Sequence, residues 1–182
     1  GESLDLPVGE RLTGTLAAAF VRGIQGPDPR RPRAIATPKH FAVHSGPEAG
    51  RHGFDVDVSP QDLEATYLPA FRQAVVEGGA RSVMCAYNAI HGFPACASPL
   101  LLDETLRRDW GFKGFVVSDC DAVDDMTQFH YFRLDNAASS AAALVAGDDR
   151  LCARSGVRCP TVAALVLAPA ATPARVVRLQ LG

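Results

Sequence analysis

The 182 residues are 47% hydrophobic and 21% charged, with 16 Gly and 13 Pro. Such a chain can bury the core of one average domain, which excludes a disordered protein, and it holds no run of ~18 apolar residues that would cross a membrane. Eighteen Lys and Arg against 20 Asp and Glu leave a net charge of −2, which implies no nucleic-acid partner.

From the N-terminus, Leu12 to Ile24 is apolar at Leu16, Ala19, Phe20 and Ile24, the spacing of a helix. Ala34 to Thr37 reads as a buried strand opening into Pro38-Lys39-His40-Phe41. Ser59-Pro60-Gln61-Asp62 is a helix start, with Ser as N-cap, Pro in the first turn and an acid at the third position. Its inward stripe is Leu63, Tyr67, Ala70, Phe71, Ala74 and Val75, and Gly78-Gly79 ends it. A second strand covers Ser82 to Tyr87. A second helix starts at Ser98-Pro99 and runs through Leu101, Leu102 and Leu106 to Trp110, before Gly111. Gly114 to Ser118 is the third strand, and an Ala-rich helix from Asn136 to Ala146 stops at Gly147.

Short, continuously apolar strands separated by helices predict an α/β fold with parallel βα units. Both the doubly wound sheet and the (β/α)8 barrel fit, and both place sites at the C-terminal ends of strands. The polar residues obey that rule: Lys39-His40, Tyr87-Asn88 and Asp119 each follow a strand. No Gly-x-Gly-x-x-Gly follows any strand, so no dinucleotide cofactor is implied. A full barrel takes ~250 residues, and about half of one fits before Asp149.

Asp119 closes a buried strand. Its bland reading is a turn or N-cap residue; its chemical reading is a strand-end nucleophile for a sugar's anomeric carbon. Lys39 and His40 could donate hydrogen bonds to sugar hydroxyls and keep a neighbouring carboxylate ionised. His40, His44 and His52 raise a metal site, but Ser45-Gly46-Pro47 breaks the helix that such spacing normally needs, so no metal is expected. Five Cys occur without a C-x-x-C. By spacing, Cys85 with Cys96 and Cys120 with Cys152 could each bracket a cross-linked loop, and buried free thiols fit equally well.

Thr37-Pro38-Lys39-His40-Phe41-Ala42, Ser45-Gly46-Pro47-Glu48, Met84-Cys85-Ala86-Tyr87-Asn88 and Gly114-Phe115-Val116-Val117-Ser118-Asp119-Cys120-Asp121-Ala122 together resemble glycoside hydrolase family 3. The β-xylosidase-like branch is the nearest in pattern, and the likeness covers about Leu12 to Gly147. The resemblance implies a partial (β/α)8 barrel and a retaining exo-acting β-glycosidase, a β-xylosidase with β-glucosidase as the alternative. It makes Asp119 the nucleophile, and Lys39, His40, Arg51 and Tyr87 the holders of the terminal sugar. It pairs Cys120 with Cys152. The stretch Ala42-Val43-His44-Ser45-Gly46 disfavours the hexosaminidase branch, which carries Gly-His-Gly there.

In that family the general acid/base Glu comes from a second α/β domain beyond the barrel, and two further sugar-binding residues come from upstream strands. Neither is found in this chain, which is therefore expected to be a fragment: inactive alone, or at most a non-catalytic sugar-binding piece. The parent is expected to be secreted or periplasmic, although no leader precedes Leu12 and the chain starts at Gly1. Residues 1–147 form the expected barrel portion. Residues 148–182 are an Arg/Ala/Pro-rich tail: the first 149 residues carry −7, and the last 33 carry five Arg and no acid after Asp149. Such a tail reads as foreign or out of frame.

Overall fold

The computed structural model describes residues 8–147 and 175–180. The chain opens with helix Val8–Gln25, then strand β1 (Ala34–Lys39). A short β2 (Asp55–Val56) precedes a helical run over 60–77. Then come β3 (Ser82–Cys85), β4 (Ala89–Ile90), β5 (Phe93–Pro94) and helix Leu100–Asp109. β6 (Phe115–Ser118), helices Ala122–Gln128 and Asn136–Ala146, and β7 (Arg175–Gln180) complete the described elements. No described helix is long and apolar enough to cross a membrane.

The fold is α/β. β3 pairs parallel with β6 from Ser82↔Phe115 to Cys85↔Ser118. β1 pairs parallel with β7 from Ala34↔Arg175 to Lys39↔Gln180. Just past β1, Phe41 joins the pairs: its N–H donates to Met84 O at 2.7 Å, and its carbonyl accepts from Ala86 N at 3.0 Å. The parallel order is therefore β7-β1-β3-β6, and every polar segment that follows β1, β3 and β6 leaves on one side. Of the tail, only β7 is described; 148–174 lie outside the described residues.

Two elements depart from the sequence pattern. In helix Val8–Gln25 the buried side chains are Ala17, Ala18, Val21 and Gln25, while Leu12, Leu16 and Phe20 are about half exposed. Small residues win the inner face because the 60–77 run comes very close: a Cβ on Gly78 would stand 3.0 Å from Ala18 Cα. The 60–77 run itself is capped by Ser59, whose Oγ accepts from Asp62 N at 3.0 Å, but it is not uniformly α-helical. Pro69 has no N–H and crowds the preceding turn, and Leu68 N reaches back to Leu63 O in a wider, π-type turn.

β2, β4 and β5 form a small sheet that the apolar pattern does not announce, since two-residue strands have no period. β2 runs parallel to β4, and β4 returns antiparallel to β5 through a turn at His91 and Gly92, both with positive φ. Gly114 is required where β6 begins, because a Cβ there would lie 2.2 Å from Arg81 O.

Gln25 ties the helix layer to the strands. Its Oε1 accepts from Arg81 N at 3.1 Å and Ala36 N at 3.4 Å, and its Nε2 donates to Gly79 O at 2.8 Å. Gln25→Leu would strand these backbone groups. A loss of about 2 kcal/mol is expected in urea unfolding, and an unchanged midpoint would deny Gln25 that role.

Candidate active site

Three parallel strands deliver the central groups. β1 ends at Lys39-His40, β3 runs on to Tyr87, and β6 ends one residue before Asp119, whose N–H donates to Cys85 O at 3.3 Å. Asp119 and His40 are 4% and 5% exposed, so a carboxylate and an imidazole are buried together. His40 Nε2 lies 2.7 Å from Asp119 Oδ2 and 2.9 Å from Lys39 Nζ. An ammonium only donates and a carboxylate only accepts, so Nε2 satisfies one of them at a time: the carboxylate when protonated, the lysine when not.

Burial alone would push the Asp119 carboxyl up. Hydrogen bonds from His40 and from Cys120 N–H (2.8 Å), with the positive charges of His40 and Lys39, outweigh it and hold the group at about 2. The Tyr87 hydroxyl is pushed well above its usual value, first by burial, then by the charge of Asp119 and a hydrogen bond with it. It therefore stays a neutral donor to an ionised carboxylate.

Arg51 stands over the Tyr87 ring, 5.0 Å from its centroid, and its guanidinium donates to Glu48 Oε1 at 2.7 Å. All five residues singled out as catalytic or sugar-binding thus fall in one cluster. Cys85 and Cys96 are joined in a disulfide that closes the loop carrying Tyr87. Cys120 is exposed and makes no disulfide with a described residue; Cys152 lies outside the described residues.

Of the other members of the cluster, the sequence pattern raised His44 and His52 only as metal ligands and Asn88 only as a strand-end residue, and it gave no role to Asp125 or His130. His44 Nδ1–H donates to Asn88 Oδ1 at 3.1 Å, and Asn88 Nδ2 donates to Ala42 O. Burial lowers the pKa of His44 despite that bond, so its ring is a neutral neighbour. His52 Nδ1 donates to Asp125 Oδ2 at 2.7 Å, and His130 Nε2 donates to Tyr87 O at 2.7 Å. Asp125 left one trace in the sequence: it sits at helical spacing among Ala122, Val123 and Met126, all buried. Among the described residues no three His, Cys, Asp or Glu gather where they could hold a metal ion.

The family model for the glycosyl hydrolase family 3 N-terminal domain matches residues 9–166. The chain belongs to that family. This glycosyl hydrolase family 3 chain is 43% identical over 143 residues to a xylan 1,4-beta-xylosidase of Xylanibacter ruminicola, covering 78% of the chain and 17% of that relative. It is 42% identical over 139 residues to the exo-1,4-beta-xylosidase bxlB of Emericella nidulans, covering 73% and 18%. A solved GH3 exo-beta-xylosidase, XlnD, superposes with a TM-score of 0.75 at 35% identity, covering 78% of the chain and 19% of that structure. A solved β-glucosidase of Erythrobacter marinus does so at 0.69 and 35%, covering 77% and 19%. The chain spans under a fifth of the length of these relatives.

Proposed function

We propose that this chain is the nucleophile-bearing part of a retaining, exo-acting β-glycosidase of the β-xylosidase kind. The observation that carries the reading is the buried Asp119, ionised between His40, Tyr87 and the Cys120 N–H at the end of β6. The β-α order and parallel strands support a partial (β/α)8 barrel over the first 147 residues, with β7 from the segment after Gly147 pairing along β1. The Cys85–Cys96 disulfide supports an oxidising, secreted or periplasmic setting.

In such a reaction Asp119 attacks the anomeric carbon while the glycosidic C–O bond breaks, leaving a glycosyl ester on the carboxylate. The departing oxygen needs a proton from a second carboxyl, about 5–5.5 Å from the first in retaining enzymes. We assign that group to a Glu of a further α/β domain outside the 182 residues. Water then cleaves the ester, with the second carboxyl acting as base. Lys39, His40, Arg51 and Tyr87 supply donors for the hydroxyls of the terminal sugar. The neighbouring β-glucosidase structures favour glucose as the second candidate sugar.

A leaving group that needs no proton isolates the step assigned to this chain. With 2,4-dinitrophenyl 2-deoxy-2-fluoro-β-xyloside, the 182-residue chain is expected to release up to one phenolate per molecule and then stop. Xylobiose, whose poor leaving group depends on the acid, is expected to stay intact. Reversible binding without phenolate release would overturn the nucleophile assignment. Turnover of xylobiose would overturn the assignment of the acid to another domain. The same release measured with the glucoside decides between the two sugars.

A further inference from the structure

Asp125 lies on the buried face of helix Ala122–Gln128 and is 2% exposed. A carboxylate so placed is costly unless it is paired, and burial does push its pKa up. Its close partner is His52, 73 residues earlier, with Nδ1 to Oδ2 at 2.7 Å; the charge of His130 also favours its ionised form, and Asp121 opposes it. His52 sits in the loop that follows β1, and Asp125 on the helix that follows β6. The pair therefore bridges the segments that carry His40 and Asp119.

Tyr87 lies against this bridge. The His52 ring meets it edge-on, centroids 4.7 Å apart at 65°, and also touches Phe129 at 5.9 Å. Arg51, adjacent to His52, covers the Tyr87 ring at 5.0 Å. His130, two residues past the end of the Asp125 helix, holds the Tyr87 carbonyl at 2.7 Å. The phenol has its hydroxyl on Asp119 and its ring against His52.

We infer that the buried Asp125 and the half-exposed His52 are a positioning pair that fixes the Tyr87 ring so that its hydroxyl meets Asp119. Neither touches the sugar in this role; both act through Tyr87. The consequence for reaction rate rests on the reading of Asp119 as nucleophile, whereas the effect on Tyr87 does not.

Asp125→Asn keeps the shape and an acceptor for His52 while removing the charge. His52→Phe keeps a ring against Tyr87 and removes the N–H, and serves if the first variant fails to fold. In the 182-residue chain, the Tyr87 ring signals in NMR, assigned with Tyr87→Phe, are expected to shift and broaden in either variant. The labelling rate constant with the fluoroxyloside is expected to fall about tenfold at unchanged half-saturating concentration, a part of the ~10²-fold that a 1 Å misplacement costs. A purely structural role would lower the melting temperature and leave the rate constant of the folded fraction alone. Unshifted Tyr87 signals in a folded variant would overturn the pair's role. If the wild-type chain is not labelled at all, the nucleophile reading fails, and the Tyr87 signals alone decide this one.

Discussion

Asp119→Asn is expected to cut phenolate release from an activated xyloside by on the order of 10⁴-fold or more, the scale on which removing a nucleophile acts. The amide keeps the size of the side chain and its place beside His40 Nε2 and Cys120 N–H, so binding through Lys39 and Arg51 should survive. The wild-type pH profile carries the same signature. With the folded group held at about 2, the nucleophile is ionised across the whole range in which the protein works, and release should show no acid limb near pH 4. The group also stabilises the fold. Its pKa falls from 3.8 to about 2, worth about 2 kcal/mol that is fully present above pH ~4 and lost as the pH drops through 2. In Asp119→Asn that acid-dependent share should vanish from the stability curve, and a release rate within tenfold of wild type would remove Asp119 from the chemistry.

Phe41→Ala is expected to cost about 3–5 kcal/mol, a large part of the 5–15 kcal/mol that holds a typical domain together. Phe41 is fully buried, edge-on to Phe71 at 5.1 Å and to Trp110 at 5.7 Å, and its backbone bridges β1 to β3. It directly follows His40, so a cavity there frees the segment that places Lys39 and His40. Urea unfolding should show the midpoint falling. Phenolate release should fall further than the folded fraction does. A midpoint unchanged within error would contradict the packing described for this residue.

The parallel α/β plan was legible because each signal was local. Ser59 with Pro60 and Asp62 announces a helix start, and Phe115–Ser118 is a strand too apolar to sit at the surface. The ends of the strands were legible for the same reason: a charged residue directly after a buried run has one place to go. What was not legible depends on neighbours distant in sequence. Leu12, Leu16 and Phe20 lose the inner face of the first helix to Ala17, Ala18 and Val21 because another helix approaches closely, and hydrophobicity alone does not encode that distance. The π-type turn before Pro69 is a tertiary compromise of the same kind. His52 and Asp125 meet across 73 residues, and His130 reaches the carbonyl of Tyr87 across 43. An Asp in the first turns of a helix is ordinarily read as a partner of the helix dipole, which hides its second use.

The decisive measurement is peptide mapping by tandem mass spectrometry of the 182-residue chain after reaction with the activated 2-fluoroxyloside. The fluoroxylosyl group is expected on the side chain of Asp119, in the peptide that also holds Cys120, and it should be absent from Asp119→Asn. A label on Asp121, Asp124 or Asp125, or an unmodified chain, would contradict the assignment of Asp119 as the nucleophile.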